Sequence, residues 1–128
     1  MKKSKVLIIE DDRFLLKLYA DKLQREGFEV LSSLTGEEGL NKVSVEKPDL
    51  IILDLILPGK NGFEVLSELK LNPGTKDIPV IILTNLGQEA DIKKGLELGA
   101  DTYLVKTDFS LSQLPEVVKG VLVKVKKK

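Results

Sequence analysis

Leu50-Ile51-Ile52-Leu53-Asp54 is the stretch from which the rest of this sequence is read. Four branched apolar residues run straight into one carboxylate. The run is too short for a helix of its own and lacks the alternation of a half-wet strand. It predicts a strand covered on both faces, as in a parallel sheet sandwiched by helices. Leu55-Ile56-Leu57-Pro58-Gly59 and Asn61-Gly62 follow, and the Pro and Gly signals place the strand's end at Asp54. In open α/β sheets ligands bind just beyond the carboxyl ends of the strands. Asp54 is therefore the first candidate for function.

The flanking sequence repeats the theme. Val6 to Ile9 reads as a second buried strand, running into Glu10-Asp11-Asp12. Phe14, Leu15, Leu18, Tyr19 and Leu23 then recur at helical spacing, and Gly27 stops that helix. Phe28 to Leu31 reads as a short strand. Thr35-Gly36-Glu37-Glu38 reads as a helix start, with Leu40 and Val43 as the inner face and Pro48 as the limit. Gly62 to Leu71 predicts a helix closed by Asn72-Pro73-Gly74. Val80 to Leu83 predicts a strand ending at Thr84, and Glu89 to Leu98 a helix stopped by Gly99. Thr102 to Val105 is the last strand, ending at Lys106. A stripe from Leu114 to Val125 makes the last helix, with Ser112 as its expected cap and Pro115 in its first turn. Strand then helix, five times over, means an α/β domain with a parallel sheet and right-handed crossovers.

The length of 128 residues fits one domain with a sizeable core. No apolar run approaches the roughly 20 residues needed to span a bilayer. The basic start is followed by too few apolar residues for a signal peptide, so a cytoplasmic protein is expected. With neither Cys nor His, disulfides, thiol chemistry and the usual zinc and His-base chemistries are closed. Formal net charge is zero, with 20 basic and 20 acidic residues. Seven lysines (2, 3, 5, 124, 126, 127 and 128) sit at the ends, so the body is acidic and a poor nucleic-acid surface.

The polar residues at the strand ends carry the chemistry. Glu10, Asp11, Asp54, Thr84 and Lys106 are distant in sequence, yet the topology aligns them along one edge of the sheet. A strand-terminal Asp or Thr alone is usually a cap, and a lone Lys is usually solvated. Together they form a coherent site. Clustered carboxylates repel one another and call for a cation. An all-oxygen donor set favours Mg2+, Mn2+ or Ca2+ over zinc. A carboxylate needs no base to act as a nucleophile at neutral pH. In an attack on phosphorus, a metal and a lysine would neutralise the equatorial oxygens, and Thr84 can donate a hydrogen bond to one of them.

These residues, in this order and spacing, resemble the receiver domain of two-component response regulators. The likeness rests on Ile8-Ile9-Glu10-Asp11-Asp12, the Asp54 to Gly62 segment with Pro58, then Thr84, Tyr103 and Lys106, and it covers about residues 5–123 of a single domain, 1–128. It implies a flavodoxin-like sheet of strand order 2-1-3-4-5. It also implies Asp54 as phosphoacceptor, and Mg2+ (Mn2+ possible) held by Asp11, Asp54, Glu10 mostly through water, and the backbone carbonyl of Ile56. Thr84 and Lys106 would hold the phosphoryl group, while Thr84 and Tyr103 would relay its presence to the face of the fourth helix, fifth strand and fifth helix. Asp12 would begin the first helix. The implied partners are a sensor histidine kinase or phosphotransfer protein, selected partly by Arg13 and Lys17, and a downstream protein target. Neither nucleic acid nor membrane is implied.

Three positions depart from that pattern. Thr107 follows Lys106 where the family usually has a proline behind a cis bond, leaving the loop trans or strained and the placement of Lys106 open. Asn85 follows Thr84 where a very small residue is usual. Ile56 and Leu86 are apolar where side chains flank the path of a hydrolytic water, which predicts slow self-dephosphorylation. Three other readings compete. A flavin carrier is opposed by the acids of Glu10-Asp11-Asp12, and a phosphohydrolase by Ile56 where a second acid is needed. A receiver acting only as an unphosphorylated docking module remains the alternative.

Overall fold

The computed structural model describes residues 3–126. Its elements follow the alternation read from the sequence: β1 (Lys5–Ile9), α1 (Arg13–Arg25), β2 (Glu29–Ser33), α2 (Gly36–Glu46), β3 (Leu50–Leu53), α3 (Gly62–Leu71), β4 (Val80–Thr84), α4 (Glu89–Glu97), β5 (Thr102–Val105) and α5 (Leu114–Lys126). Five parallel strands form one sheet in the order β2-β1-β3-β4-β5.

Alternation along each strand divides the core in two. Val6, Ile8, Leu50, Ile52, Ile81 and Leu83 face Tyr19 and Leu23 of α1 and Leu114, Val118, Val121 and Leu122 of α5. Leu7, Ile9, Ile51, Leu53, Val80 and Ile82 face Val43 of α2 and Val65, Leu66 and Leu69 of α3. The central strands are apolar on both sides because both sides are covered by helices.

Caps mark the helix starts. Asp12 precedes α1 and accepts the N–H groups of Phe14 and Leu15, the helix-start role expected of it. Thr35 accepts the Glu38 N–H at the start of α2. Asn61 and Glu64 form a reciprocal capping box at α3.

Three local expectations are corrected. Phe14 is 71% exposed rather than part of the inner face of α1. It lies five residues before Tyr19, about 140° around the helix at 3.6 residues per turn. The strand β2 runs on to Ser33 instead of stopping at Leu31, because pairing with β1 continues through Ile9 opposite Ser33. Ser112 does not cap α5. It lies inside a 3-10 turn (Leu111–Gln113) that runs directly into the helix, and Ser110 holds that turn through its N–H to Gln113 Oε1. Pro115 falls in the first turn of α5, where its missing N–H costs nothing.

Candidate functional site

The parallel register sets the strand ends side by side. Ile9 pairs with Leu53, so Glu10 and Asp54 emerge next to each other. Asp54 N–H donates to the Ile9 carbonyl and Glu10 N–H to the Ser33 carbonyl, both at 3.0 Å. Both side chains are buried, at 2% and 4% exposure, whereas Asp11 is exposed at the rim. Carboxylate oxygens of Glu10, Asp11 and Asp54 all lie within 4.8 Å of one another.

Lys106 enters from the end of β5. Its ammonium donates to Glu10 Oε1 at 2.6 Å and to Asp54 Oδ2 at 2.8 Å. The remaining oxygens are held by backbone: Glu10 Oε2 accepts the Asp12 N–H at 3.0 Å, and Asp54 Oδ1 accepts the Ile56 N–H at 3.1 Å. Burial pushes the Glu10 carboxyl above its usual range, and the charge of Asp54 adds to that, against the pull of Lys106 and the Asp12 N–H. Burial alone would lower the Lys106 ammonium, but hydrogen bonds to Asp54 and Glu10 outweigh it and hold the pKa above its ordinary value.

One ammonium against three carboxylates leaves the cluster negative. The donors are all hard oxygens, a set that suits Mg2+, Mn2+ or Ca2+ better than zinc. The residues present therefore fit a divalent cation.

Thr107 does not displace Lys106. No peptide bond among the described residues is cis, and Lys106–Asp108 forms a 3-10 turn from which the ammonium still reaches both acids. Asn85 is exposed and, with Lys106 and Thr107, lines a cavity of about 360 Å3 beside the cluster.

Thr84 is fully buried at the end of β4, beside the others, but its hydroxyl makes no hydrogen bond to Asp54 among the described residues. It accepts instead the Leu86 N–H in a long contact of 3.4 Å. The Tyr103 hydroxyl donates to the Leu86 carbonyl at 2.6 Å. Burial raises the Tyr103 phenol to about 12, with Asp91 and Asp54 adding to the shift. The ring edge packs on Gly95 of α4. Sequence reasoning missed Leu86 as the link between Thr84 and Tyr103, because both bonds use its backbone. It also did not find the Lys106 bridge to Glu10.

The family model for the response regulator receiver domain matches residues 6–119. The phosphate regulon transcriptional regulatory protein PhoB of Rhizobium meliloti (strain 1021) is 40% identical over 122 residues, covering 95% of this chain and 53% of that protein. The chain spans about half the length of the curated relatives it matches. A response regulator receiver domain protein (CheY-like) of Methanospirillum hungatei JF-1 shares the fold with a TM-score of 0.90 at 31% identity, over 98% of each chain. The Mn2+-bound form of response regulator Rcp1 matches with a TM-score of 0.79 at 33% identity, over 92% of this chain and 91% of that one. Among the described residues, no helix is long and apolar enough to cross a membrane.

Proposed function

As the chain belongs to the response regulator receiver domain family, we propose that it is a phosphoacceptor switch that takes a phosphoryl group on Asp54. The observation that carries this reading is the Lys106 ammonium bridging Glu10 and Asp54 within a three-carboxylate cluster at the sheet's carboxyl edge.

In this reading residues 1–128 act as one receiver domain in the cytoplasm. The donor is a sensor histidine kinase or phosphotransfer protein, or a small acyl phosphate. The chain promotes only its own phosphorylation and dephosphorylation. Asp54 Oδ attacks phosphorus, the bond to the donor breaks, and an acyl phosphate forms on Asp54. Lys106, already 2.8 Å from Asp54, neutralises one side of the transferring group. Asp11, Asp54, water-bridged Glu10 and the Ile56 carbonyl would hold Mg2+, with Mn2+ as an alternative; support comes from the oxygen donor set and from the Mn2+-bound form of Rcp1. When bound, the cation would supply positive charge to the transferring group, beside that of Lys106.

Thr84 then turns its hydroxyl to a phosphoryl oxygen and releases the Leu86 N–H. Tyr103, bonded to the same Leu86, carries the change to α4, β5 and α5, where a protein target reads it. Apolar Ile56 and Leu86 cannot orient a water, so the acyl phosphate persists. The acidic body makes direct nucleic-acid binding by this domain unfavourable.

The test is intact-protein mass after incubation with acetyl phosphate and Mg2+, wild type beside Asp54→Ala. A gain of one phosphoryl group, abolished by EDTA and absent in the variant, is expected. No gain in a folded wild type that binds Mg2+ would overturn the proposal.

A further inference from the structure

The start of α3 stands directly against the backbone of the phosphoacceptor. Gly62 donates its N–H to the Leu55 carbonyl at 3.0 Å. A Cβ built on Gly62 would lie 2.3 Å from the Asp54 carbonyl oxygen, 2.5 Å from Leu55 Cα and 3.0 Å from the Asp54 carbonyl carbon. All three are backbone atoms, so no side-chain rotation relieves the clash. Gly36 also comes close to backbone, with the Lys60 carbonyl oxygen at 2.8 Å, but not to the Asp54 peptide. Gly39 would meet only the Ile9 side chain, its Cδ1 at 2.4 Å, and Gly120 has open space around it.

The peptide that Gly62 touches starts the turn in which Ile56 N–H binds Asp54 Oδ1 at 3.1 Å. Among the described residues, that bond and the ion pair to Lys106 aim the Asp54 carboxylate. The turn is closed on the other side by α3, which the Asn61–Glu64 capping box and the buried Val65, Leu66 and Leu69 hold rigidly.

From this contact we infer that Gly62 is a positioning residue for phosphorylation: its missing side chain lets α3 back the Asp54–Leu55 peptide and so sets the carboxylate's line of attack. The inference rests on the proposed role of Asp54. Gly62 touches neither donor nor cation and acts only through that peptide. Any side chain there pushes the peptide by several tenths of an ångström or more. Displacements of about 1 Å in a reacting group cost on the order of 100-fold in rate.

The experiment compares wild type, Gly62→Ala and Gly39→Ala by intact-protein mass over time, at saturating acetyl phosphate and Mg2+. Loss of folded protein lowers the phosphorylated fraction, while mispositioning lowers the rate constant of the molecules that react. Gly62→Ala is expected to lower the rate constant by about 10- to 100-fold. Gly39→Ala is expected to keep it within twofold, whatever it does to thermal stability. A wild-type rate constant in Gly62→Ala, or an equal loss in Gly39→Ala, overturns the inference. Failure of the wild type to gain phosphate instead overturns the role of Asp54. Should Gly62→Ala not fold, amide NMR of the wild type decides. Titration with Mg2+ alone is expected to shift the Gly62 amide more than those of Gly39 and Gly120, and an unmoved Gly62 amide counts against the coupling.

Discussion

The hydroxyl of Tyr103 donates a 2.6 Å hydrogen bond to the carbonyl of Leu86, the residue whose N–H reaches back to Thr84. A phenolate cannot make that bond, and burial of the ring raises the Tyr103 phenol to about 12. The folded state therefore holds a proton that the unfolded chain, at the ordinary value of 10.0, has lost. Stability is expected to fall as pH rises from 10 toward 12. Absorbance titration of phenolate, wild type against Tyr103→Phe, should assign the later of the transitions to Tyr103. A Tyr103 transition at the ordinary value would show the hydroxyl to be free.

Lys106→Met removes the only ammonium among the described residues that touches Glu10 and Asp54 and leaves two buried carboxylates facing each other. Stability at neutral pH is expected to drop by about 3 kcal/mol in urea denaturation. Burial already raises Glu10, and loss of Lys106 raises it further. The folded variant then binds more protons than the unfolded chain above the ordinary Glu value of 4.5, so its deficit narrows as pH falls from 7 toward that value. A deficit independent of pH would contradict this account.

Divalent cation is expected to stabilise the fold, because the clustered carboxylates exist only in the folded chain. At a Mg2+ concentration 100 times the dissociation constant the gain is about 2.7 kcal/mol, readable as a rise of several degrees in melting temperature. Asp11→Asn, at the exposed rim, should fold normally and lose most of that rise. An equal rise in wild type and variant would place the cation elsewhere.

Phosphorylated wild type should keep its label for minutes or longer in Mg2+. Ile56 is 51% exposed, so Ile56→Asn puts a water-orienting amide beside the acyl phosphate without opening the core. The variant should lose phosphate several-fold faster, followed by mass spectrometry after removal of the donor. Label lost within seconds from the wild type would refute the link to the apolar pair.

Much of the fold was legible because its signals are local. Five apolar runs, five helical stripes and the turn residues between them are short-range patterns, and they imply a parallel sheet whose carboxyl edge gathers Glu10, Asp11, Asp54, Thr84 and Lys106. Asp12 and Thr35 stand at helix starts because capping needs only the next three residues, while Asn61, in sequence only a turn signal, caps α3. Tertiary structure decided what depends on exact register and on backbone atoms. The outward turn of Phe14 follows from where α1 meets the sheet. The continuation of β2 through two serines follows from pairing with β1. The grip of Lys106 on both Glu10 and Asp54, the two bonds to Leu86 and the contact of Gly62 on the Asp54 peptide join residues far apart in sequence or use groups every residue carries. Sequence by itself determined which residues meet at the edge, since alternation and length dictate strand ends. Only packing across the sheet determined how they are aimed, since that angle is set by distant helices pressing on the same few peptides.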